Sequence, residues 1–502
     1  MAVNDESKMV AAAKNARKAA LELAQLSEEK KNEVLRSFRT VLVEKKDAIL
    51  AANKEDVEEA SKLADAGKLS HTLLRRLSLA GTKFDTLLEG LNQVVSLEDP
   101  VGKCTYANTI AENLELYRVT CPIGVMCVIF EARPEACVQI ASLALKSGNA
   151  LLLKGGKEAA RSNRILTETL REGFSRVGGA SSDMLQLLEA REDVSAILKM
   201  DQYIDLVVPR GGNALVKYIK ENTMIPVLGH ADGICAVYLD KHCDSEKAAR
   251  IVCESKTGYV SACNALETLL IHKNLLLGKE KEQAAFASSL LNPFALREHT
   301  TEFRCDKRSL IAFQAALDEK PELAKKIILN SSSEEDYRTE FLDYILAVKV
   351  VESTSEAVAH INAYGSKHTD AIVTESTEEC ELFMNGVDSA DVFCNSSTRF
   401  ADGFRFGFGA EIGISTNRIH SRGPVGLDGL VLYKYRVYSA GEKGHCVADV
   451  AGKPASEGGF AHTKIPGAEG ARLDDFLAQR RRKREAEVDH AQTRADKRRK
   501  SS

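Results

Sequence analysis

Tryptophan is absent from this chain, and only 10 of its 502 residues are proline. No stretch approaches the roughly 18 consecutive apolar residues of a membrane-spanning helix. The N-terminus, Met1 to Lys8, lacks the basic and apolar regions of a secretory leader, so a soluble, cytoplasmic protein with no membrane partner is expected. The last four residues, Arg499-Lys500-Ser501-Ser502, are neither a prenylation nor a peroxisomal signal. The twelve cysteines show no C-x-x-C pairing, which suggests neither a metal site nor a disulfide framework and fits a reducing compartment. A formal net charge of −4 gives no global attraction to nucleic acid or anionic lipid. No G-x-G-x-x-G follows an apolar run, and Gly155-Gly156-Lys157-Glu158 lacks the spacing and the Ser/Thr of a Walker A loop. A dinucleotide, if one binds, binds in a non-standard way.

What is present is an ordinary globular composition, 44% apolar and 28% charged, in a chain longer than one core usually spans. Two or three domains are expected. From about Lys8 to Leu97 apolar residues recur at three- and four-residue spacing, as in Val34, Leu35, Phe38, Val41 and Leu42, the pattern of amphipathic helices. Between Ala111 and Thr120, Leu114 and Leu116 alternate with polar neighbours, which predicts a half-exposed strand suited to a subunit contact. Five apolar runs follow, Val125–Phe130, Ala150–Leu153, Met184–Leu188, Ile204–Val208 and Ile234–Leu239, with helical stretches such as Ala136–Lys146, Glu158–Phe174 and Asn213–Lys220 among them. Alternation of this kind predicts a parallel sheet covered on both faces, with ligands bound beyond the carboxyl ends of its strands.

Those ends carry Glu131-Ala132-Arg133-Pro134, Lys154-Gly155-Gly156-Lys157 and Pro209-Arg210-Gly211-Gly212. Glycine admits close backbone approach, a helix start supplies N–H donors and Lys or Arg supplies charge, so the three together read as an anion site, or singly as turns with solvated cations. Cys263 lies between a glycine-bearing turn and the apolar run ending at Leu270. A thiolate there is a candidate nucleophile, although a free cysteine is more often a small core hydrophobe. Residues 395–429 concentrate hydroxyls, arginines and glycines, as a loop gripping an anionic substrate would. Residues 478–502 hold ten Lys/Arg against four Asp/Glu after a Gly/Ala/Pro-rich segment from Ala440 to Gly470. This reads as a linker and a disordered or helical tail, either a solvated extension or a polyanion-binding signal.

Taken together, Ile129-Phe130-Glu131-Ala132-Arg133-Pro134, Leu153 to Glu158, Val208 to Gly212, Ala262-Cys263-Asn264-Ala265-Leu266-Glu267, and Ser397 to Gly403 continued through Arg422-Gly423-Pro424-Val425-Gly426-Leu427 are specific. Over roughly residues 8 to 438 the sequence resembles the gamma-glutamyl phosphate reductases, the proline-biosynthesis branch of the aldehyde dehydrogenase superfamily. Pro226 to Gly233 looks more like the eukaryotic branch, and no kinase half is present.

The resemblance implies an α/β fold with two parallel-sheet domains and a protruding oligomerisation sheet. A helical N-terminal part and an NADP(H)-binding domain would span residues 1–233, and a catalytic domain carrying Cys263 would span 234–415. Oligomerisation strands would lie at 105–121 and 421–438, and a linker and tail at 440–502. The implied activity is NADPH-dependent reduction of L-glutamyl 5-phosphate to L-glutamate 5-semialdehyde and phosphate. Cys263 attacks the acyl phosphate, a thioester forms, and hydride reduces it. Asn264 and the Cys263 amide are the oxyanion candidates, because the family's wider oxyanion asparagine is missing from Glu131 to Pro134. The hydrolytic members' glutamate base is likewise missing from Gly229-His230.

Lys154, Gly155, Gly156 and Lys157, with Pro209, Arg210, Gly211 and Gly212, would hold the cofactor, and Glu340 its nicotinamide ribose. Lys157 stands where NAD-preferring relatives carry an acid, which implies NADP preference. Arg133, Ser397, Thr398 and Arg399 would meet the substrate's phosphate or carboxylate. A homo-oligomer, at least a dimer, is expected, and transient contact with glutamate 5-kinase is compatible with a substrate that cyclises readily. The rival readings are an aldehyde-oxidising dehydrogenase of the same superfamily and a polyanion-binding protein that uses its basic tail.

Overall fold

The computed structural model describes residues 2–67, 71–179, 181–188, 194–276, 280–440 and 443–483, less the side chains of 2–7, 71, 72, 75 and 280–283. The N-terminal stretch forms helices Ala2–Leu23, Glu28–Glu44, Lys46–Asp65, His71–Leu77 and Thr82–Ser96. Ser27 caps the second, accepting from the Lys30 amide at 3.2 Å, and Val34, Leu35, Phe38, Val41 and Leu42 all turn inward as their spacing predicts. Lys31, on the same helix, is buried against Asp99 at 2.8 Å.

The strand expected within 111–120 is present as the second arm of a hairpin. Strands β1 (Cys104–Ala111) and β2 (Leu114–Pro122) pair antiparallel around Asn113, whose φ of 59° is the left-handed value a tight turn requires. Strands β3 (Val125–Phe130), β4 (Ala150–Gly155), β5 (Leu185–Leu188) and β6 (Leu206–Arg210) form a parallel sheet in the order β5-β4-β3-β6. Every residue of β3 and β4 is buried, which explains why their sequences read as unbroken apolar runs.

A second parallel sheet holds β7 (Cys235–Leu239), β8 (Leu266–His272), β9 (Thr301–Cys305), β10 (Ile327–Ser331), β11 (Ile345–Val351), β12 (Thr369–Val373) and β13 (Asp391–Cys394). Its order is β10-β9-β11-β8-β7-β12-β13, so β8, which follows Cys263, is a central strand. The segment expected as a long loop is partly built: β14 (Gly413–Ser415) and β15 (Gly423–Val425) pair antiparallel.

Strand β16 (Val431–Ser439) then returns to pair antiparallel with β2 along its whole length, from Val431 opposite Pro122 to Ser439 opposite Leu114. Strand β17 (Thr463–Lys464) pairs with β1 and completes a four-stranded sheet ordered β16-β2-β1-β17.

The disorder expected after residue 440 is corrected for the described part of that segment. Ile465, Ala468 and Leu473 pack on Cys104, Ala107, Tyr117 and Val119, and residues 473–483 are helical. Arg480 closes the contact with two bonds to the Glu115 carboxylate, at 2.9 and 2.8 Å. Composition suggested a linker, but a few spaced apolar side chains suffice to cover one sheet face. Residues 484–502, including the run Lys497 to Lys500, lie outside the described residues. Among the described residues no helix is long and apolar enough to cross a membrane.

Candidate active site

Helix Ser245–Thr257 ends at Gly258, and a turn over residues 259–265 delivers Cys263 to the start of β8. The Ala262 and Ala265 amides are spent on the carbonyls of Tyr259 and Ala262. Among the described residues, the Cys263 and Asn264 amides donate to no protein acceptor. Gly233 backs the turn so closely that a Cβ there would lie 2.0 Å from the Cys263 carbonyl oxygen. No other residue type fits that approach.

His368, at the entry to β12, places Nε2 3.3 Å from the Cys263 sulfur. Its Nδ1 lies 2.8 Å from Thr369 Oγ1, and Thr369 donates its one hydroxyl proton to Asp391 Oδ2 at 3.2 Å. With that proton committed, the Thr369 oxygen accepts from His368 Nδ1–H. His368 Nε2 is then bare and aimed at the thiol. His230 approaches from the other side, its ring 5.0 Å from the His368 ring and nearly perpendicular to it. Its Nδ1 donates to the Ile414 carbonyl at 2.9 Å, and burial pushes its pKa down. Burial raises the Asp391 carboxyl to about 6.

Cys263 opens into a cleft of about 650 Å³ between the two parallel sheets. Arg76, Arg133, Arg210 and Arg399 all line it. Arg133 is held down to about 10 by burial, reinforced by the neighbouring Arg210 and Arg76 cations, and it makes no hydrogen bond or salt bridge among the described residues. Burial also lowers Arg399, and the Cys263 thiol acts electrostatically on both Arg133 and Arg399. Glu340 lines the same cleft; burial raises its carboxyl, which accepts from the Gly233 amide. Pro209, Arg210, Gly211 and Gly212 run along the wall opposite and open helix Asn213–Glu221. A Glu131 carboxylate oxygen accepts from the Gly212 amide at 3.2 Å, and a Cβ on Gly211 would meet that carboxylate at 2.6 Å.

The residues singled out in the sequence thus fall into three groups. Cys263, Asn264, Pro209, Arg210, Gly211, Gly212, Glu340, Arg133 and Arg399 line one cleft. Gly155 and Gly156 line a separate small hollow with Arg164, Lys157 is exposed beside it, and the buried Lys154 donates to the Gly155 carbonyl at 3.2 Å.

Ser397 and Thr398, expected at the substrate, are not among the residues that line the cleft. Thr398 Oγ1 donates to the Asn264 carbonyl at 2.7 Å, and Ser255 Oγ to Ser397 Oγ at 2.9 Å, so both brace the nucleophile turn from behind. Asn264 is braced in the same way through Nδ2, which donates to the Ala401 carbonyl at 2.8 Å. The sequence reading missed His368 and His230. A lone histidine before an apolar run carries no signal when its cysteine lies 105 positions away.

The aldehyde dehydrogenase family matches over residues 1–290. A gamma-glutamyl phosphate reductase of Acetivibrio thermocellus is 48% identical over 449 residues, covering 89% of this chain and 96% of the relative. A probable gamma-glutamyl phosphate reductase of Schizosaccharomyces pombe is 46% identical, covering 88% and 94%. The crystal structure of a gamma-glutamyl phosphate reductase from Thermotoga maritima superposes with a TM-score of 0.75 at 32% identity, covering 86% of this chain and 98% of that one. The two parallel sheets are those of an aldehyde dehydrogenase-like α/β fold, and the chain belongs to the aldehyde dehydrogenase family and, within it, to the gamma-glutamyl phosphate reductases.

Proposed function

We propose that this chain reduces L-glutamyl 5-phosphate to L-glutamate 5-semialdehyde and phosphate, with NADPH as reductant and Cys263 as nucleophile. The observation that carries the reading is the 3.3 Å approach of His368 Nε2 to the Cys263 sulfur at the wall of an arginine-lined cleft. His368 takes the thiol proton, and the resulting thiolate attacks the acyl carbon. Phosphate leaves with the bonding electrons, and Arg133 and Arg399 neutralise it as it departs. In this reading the unspent Cys263 and Asn264 amides receive the carbonyl oxygen as it gains charge.

A nicotinamide dinucleotide suits the residues on the opposite wall. The start of helix Asn213–Glu221 already has a carboxylate on its Gly212 amide, so an anionic group fits there, and Arg210 Nε is buried without a partner among the described residues. In this reading Arg210, Gly211 and Gly212 hold the pyrophosphate side, Glu340 the nicotinamide ribose, and Lys154 and Lys157 the adenosine side. When bound, the dinucleotide supplies the hydride that reduces the Cys263 thioester. Residues 1–233 then serve as the cofactor-binding part and 234–415 as the catalytic part. The β16 edge is the surface on which we place a homo-oligomer contact.

The reverse reaction tests the whole reading. Semialdehyde, phosphate and NADP+ should yield NADPH in the wild type, with no yield when phosphate is omitted and none in Cys263→Ala. Turnover without phosphate, or undiminished turnover in the alanine variant, would overturn it; the first result would favour an aldehyde-oxidising dehydrogenase.

A further inference from the structure

We propose that His230, Cys263 and His368 form a binding site for a borderline-soft divalent cation of the zinc type, and that the bound cation withdraws Cys263 from acyl transfer. The consequence for activity rests on Cys263 being the nucleophile; the binding itself does not.

The ligand atoms of the three side chains lie within 4.8 Å of one another. The two imidazoles meet edge to face, at 83°, and do not stack. Both rings are fixed from behind. A carbonyl can only accept, so the 2.9 Å contact of His230 Nδ1 with Ile414 puts the His230 proton on Nδ1 and leaves Nε2 with a free lone pair. Thr369 does the same for His368, because its own proton is given to Asp391. An outer hydrogen bond that fixes the tautomer and ring orientation is characteristic of metal-ligating histidine.

The donor set is one sulfur and two nitrogens, with no oxygen. Such a set selects zinc, cobalt or copper and rejects magnesium and calcium, which need carboxylate and carbonyl oxygens. Three protein ligands leave a fourth tetrahedral position for water, and two of the three, His230 and Cys263, line the cleft. The cation takes the place of the proton shared between Cys263 and His368. That proton is released to solvent on binding.

Cobalt is the probe. The full-length, metal-free chain should bind one Co2+ with a thiolate-to-metal charge-transfer band that Zn2+ abolishes by displacement. The band should be lost in Cys263→Ser, and affinity should fall about tenfold or more in His230→Gln and in His368→Gln. No band in the wild type, a band that persists in Cys263→Ser, or wild-type affinity in both histidine variants would overturn the site.

A measurement on the wild type alone guards against variants that fail to fold. Zn2+ must protect Cys263 from iodoacetamide, read by peptide mass spectrometry, and unprotected alkylation would equally overturn the proposal. Failure of this site is distinguishable from failure of the reductase reading. An active, phosphate-dependent enzyme without a cobalt–thiolate band overturns only the metal site. A chain with the band but without acyl phosphate reduction keeps the binding and overturns the function.

Discussion

Cys263 Sγ and His368 Nε2 stand 3.3 Å apart although 105 residues separate them in the chain. A thiol facing a bare imidazole nitrogen is activated by proton transfer, so His368→Gln should lower kcat/KM on the order of 100-fold. Iodoacetamide alkylation of Cys263 at neutral pH should slow in parallel. Unchanged alkylation with reduced turnover would place His368 elsewhere in the reaction.

The Thr369–Asp391 bond sets the direction of that proton path. Asp391, raised to about 6 by burial, is a carboxylate above that pH and accepts the Thr369 proton. Once protonated, Asp391 donates to Thr369, which then donates to His368 Nδ1, and His368 Nε2 carries the proton and is no longer a base. We expect kcat/KM to fall as pH drops through about 6 and this limb to vanish in Asp391→Asn. An identical limb in that variant excludes the relay. The stability effect runs the other way. The folded state binds the Asp391 proton more tightly than the unfolded chain, so wild-type stability falls as pH rises toward and through about 6. Thermal melts of Asp391→Asn across that window should show a smaller fall, because Asp370 and Glu267, raised to about 7 by burial, still contribute theirs.

Arg133 and Arg399 are the cations to which the Cys263 thiol couples. Replacing either with Met should cost about 10- to 100-fold in kcat/KM for the acyl phosphate, the range for a lost bond to a charged group. The test is whether phosphate analogues compete less well in the variants; equal competition would exclude both from phosphate binding.

Lys157 is exposed at the start of a short helical turn beside Gly155 and Gly156. A carboxylate there would repel a 2′-phosphate, so Lys157→Glu should lower the NADPH/NADH ratio of specificity constants by about tenfold or more. An unchanged ratio would remove Lys157 from cofactor selection.

Truncation after Ser439 should lower Tm by several degrees, because it uncovers Tyr117, Val119, Ala107 and Cys104. Arg480→Ala should cost on the order of 1 kcal/mol, the exposure of its ion pair reducing the effect. Truncation after Lys483 should leave Tm unchanged. Differential scanning fluorimetry of the three variants separates a clasp from a passive extension.

Much of this was legible in the sequence wherever periodicity spoke. Val125–Phe130 reads as a buried strand and is one, and Val34, Leu35, Phe38, Val41 and Leu42 face the core as spaced. The three basic strand ends, two of them glycine-rich, were visible because each is local. What remained hidden was whatever depends on distant segments meeting. His368 needs β12 beside β7, and β7 beside β8, before it faces Cys263. Thr398 and Ser397 belong to a motif that also marks the substrate loop, and nothing local reveals that their hydroxyls turn toward Asn264 and Ser255. The C-terminal segment misled because composition reports average character, whereas packing requires only Ile465, Ala468 and Leu473 at the right places.

The two-residue strand Thr463–Lys464 occupies the β1 flank, while the nine-residue β16 leaves Tyr433, Tyr435 and Val437 open to solvent. The long rim of β16 thus offers a run of backbone donors and acceptors to which a further strand could add, whereas β17 offers only two residues.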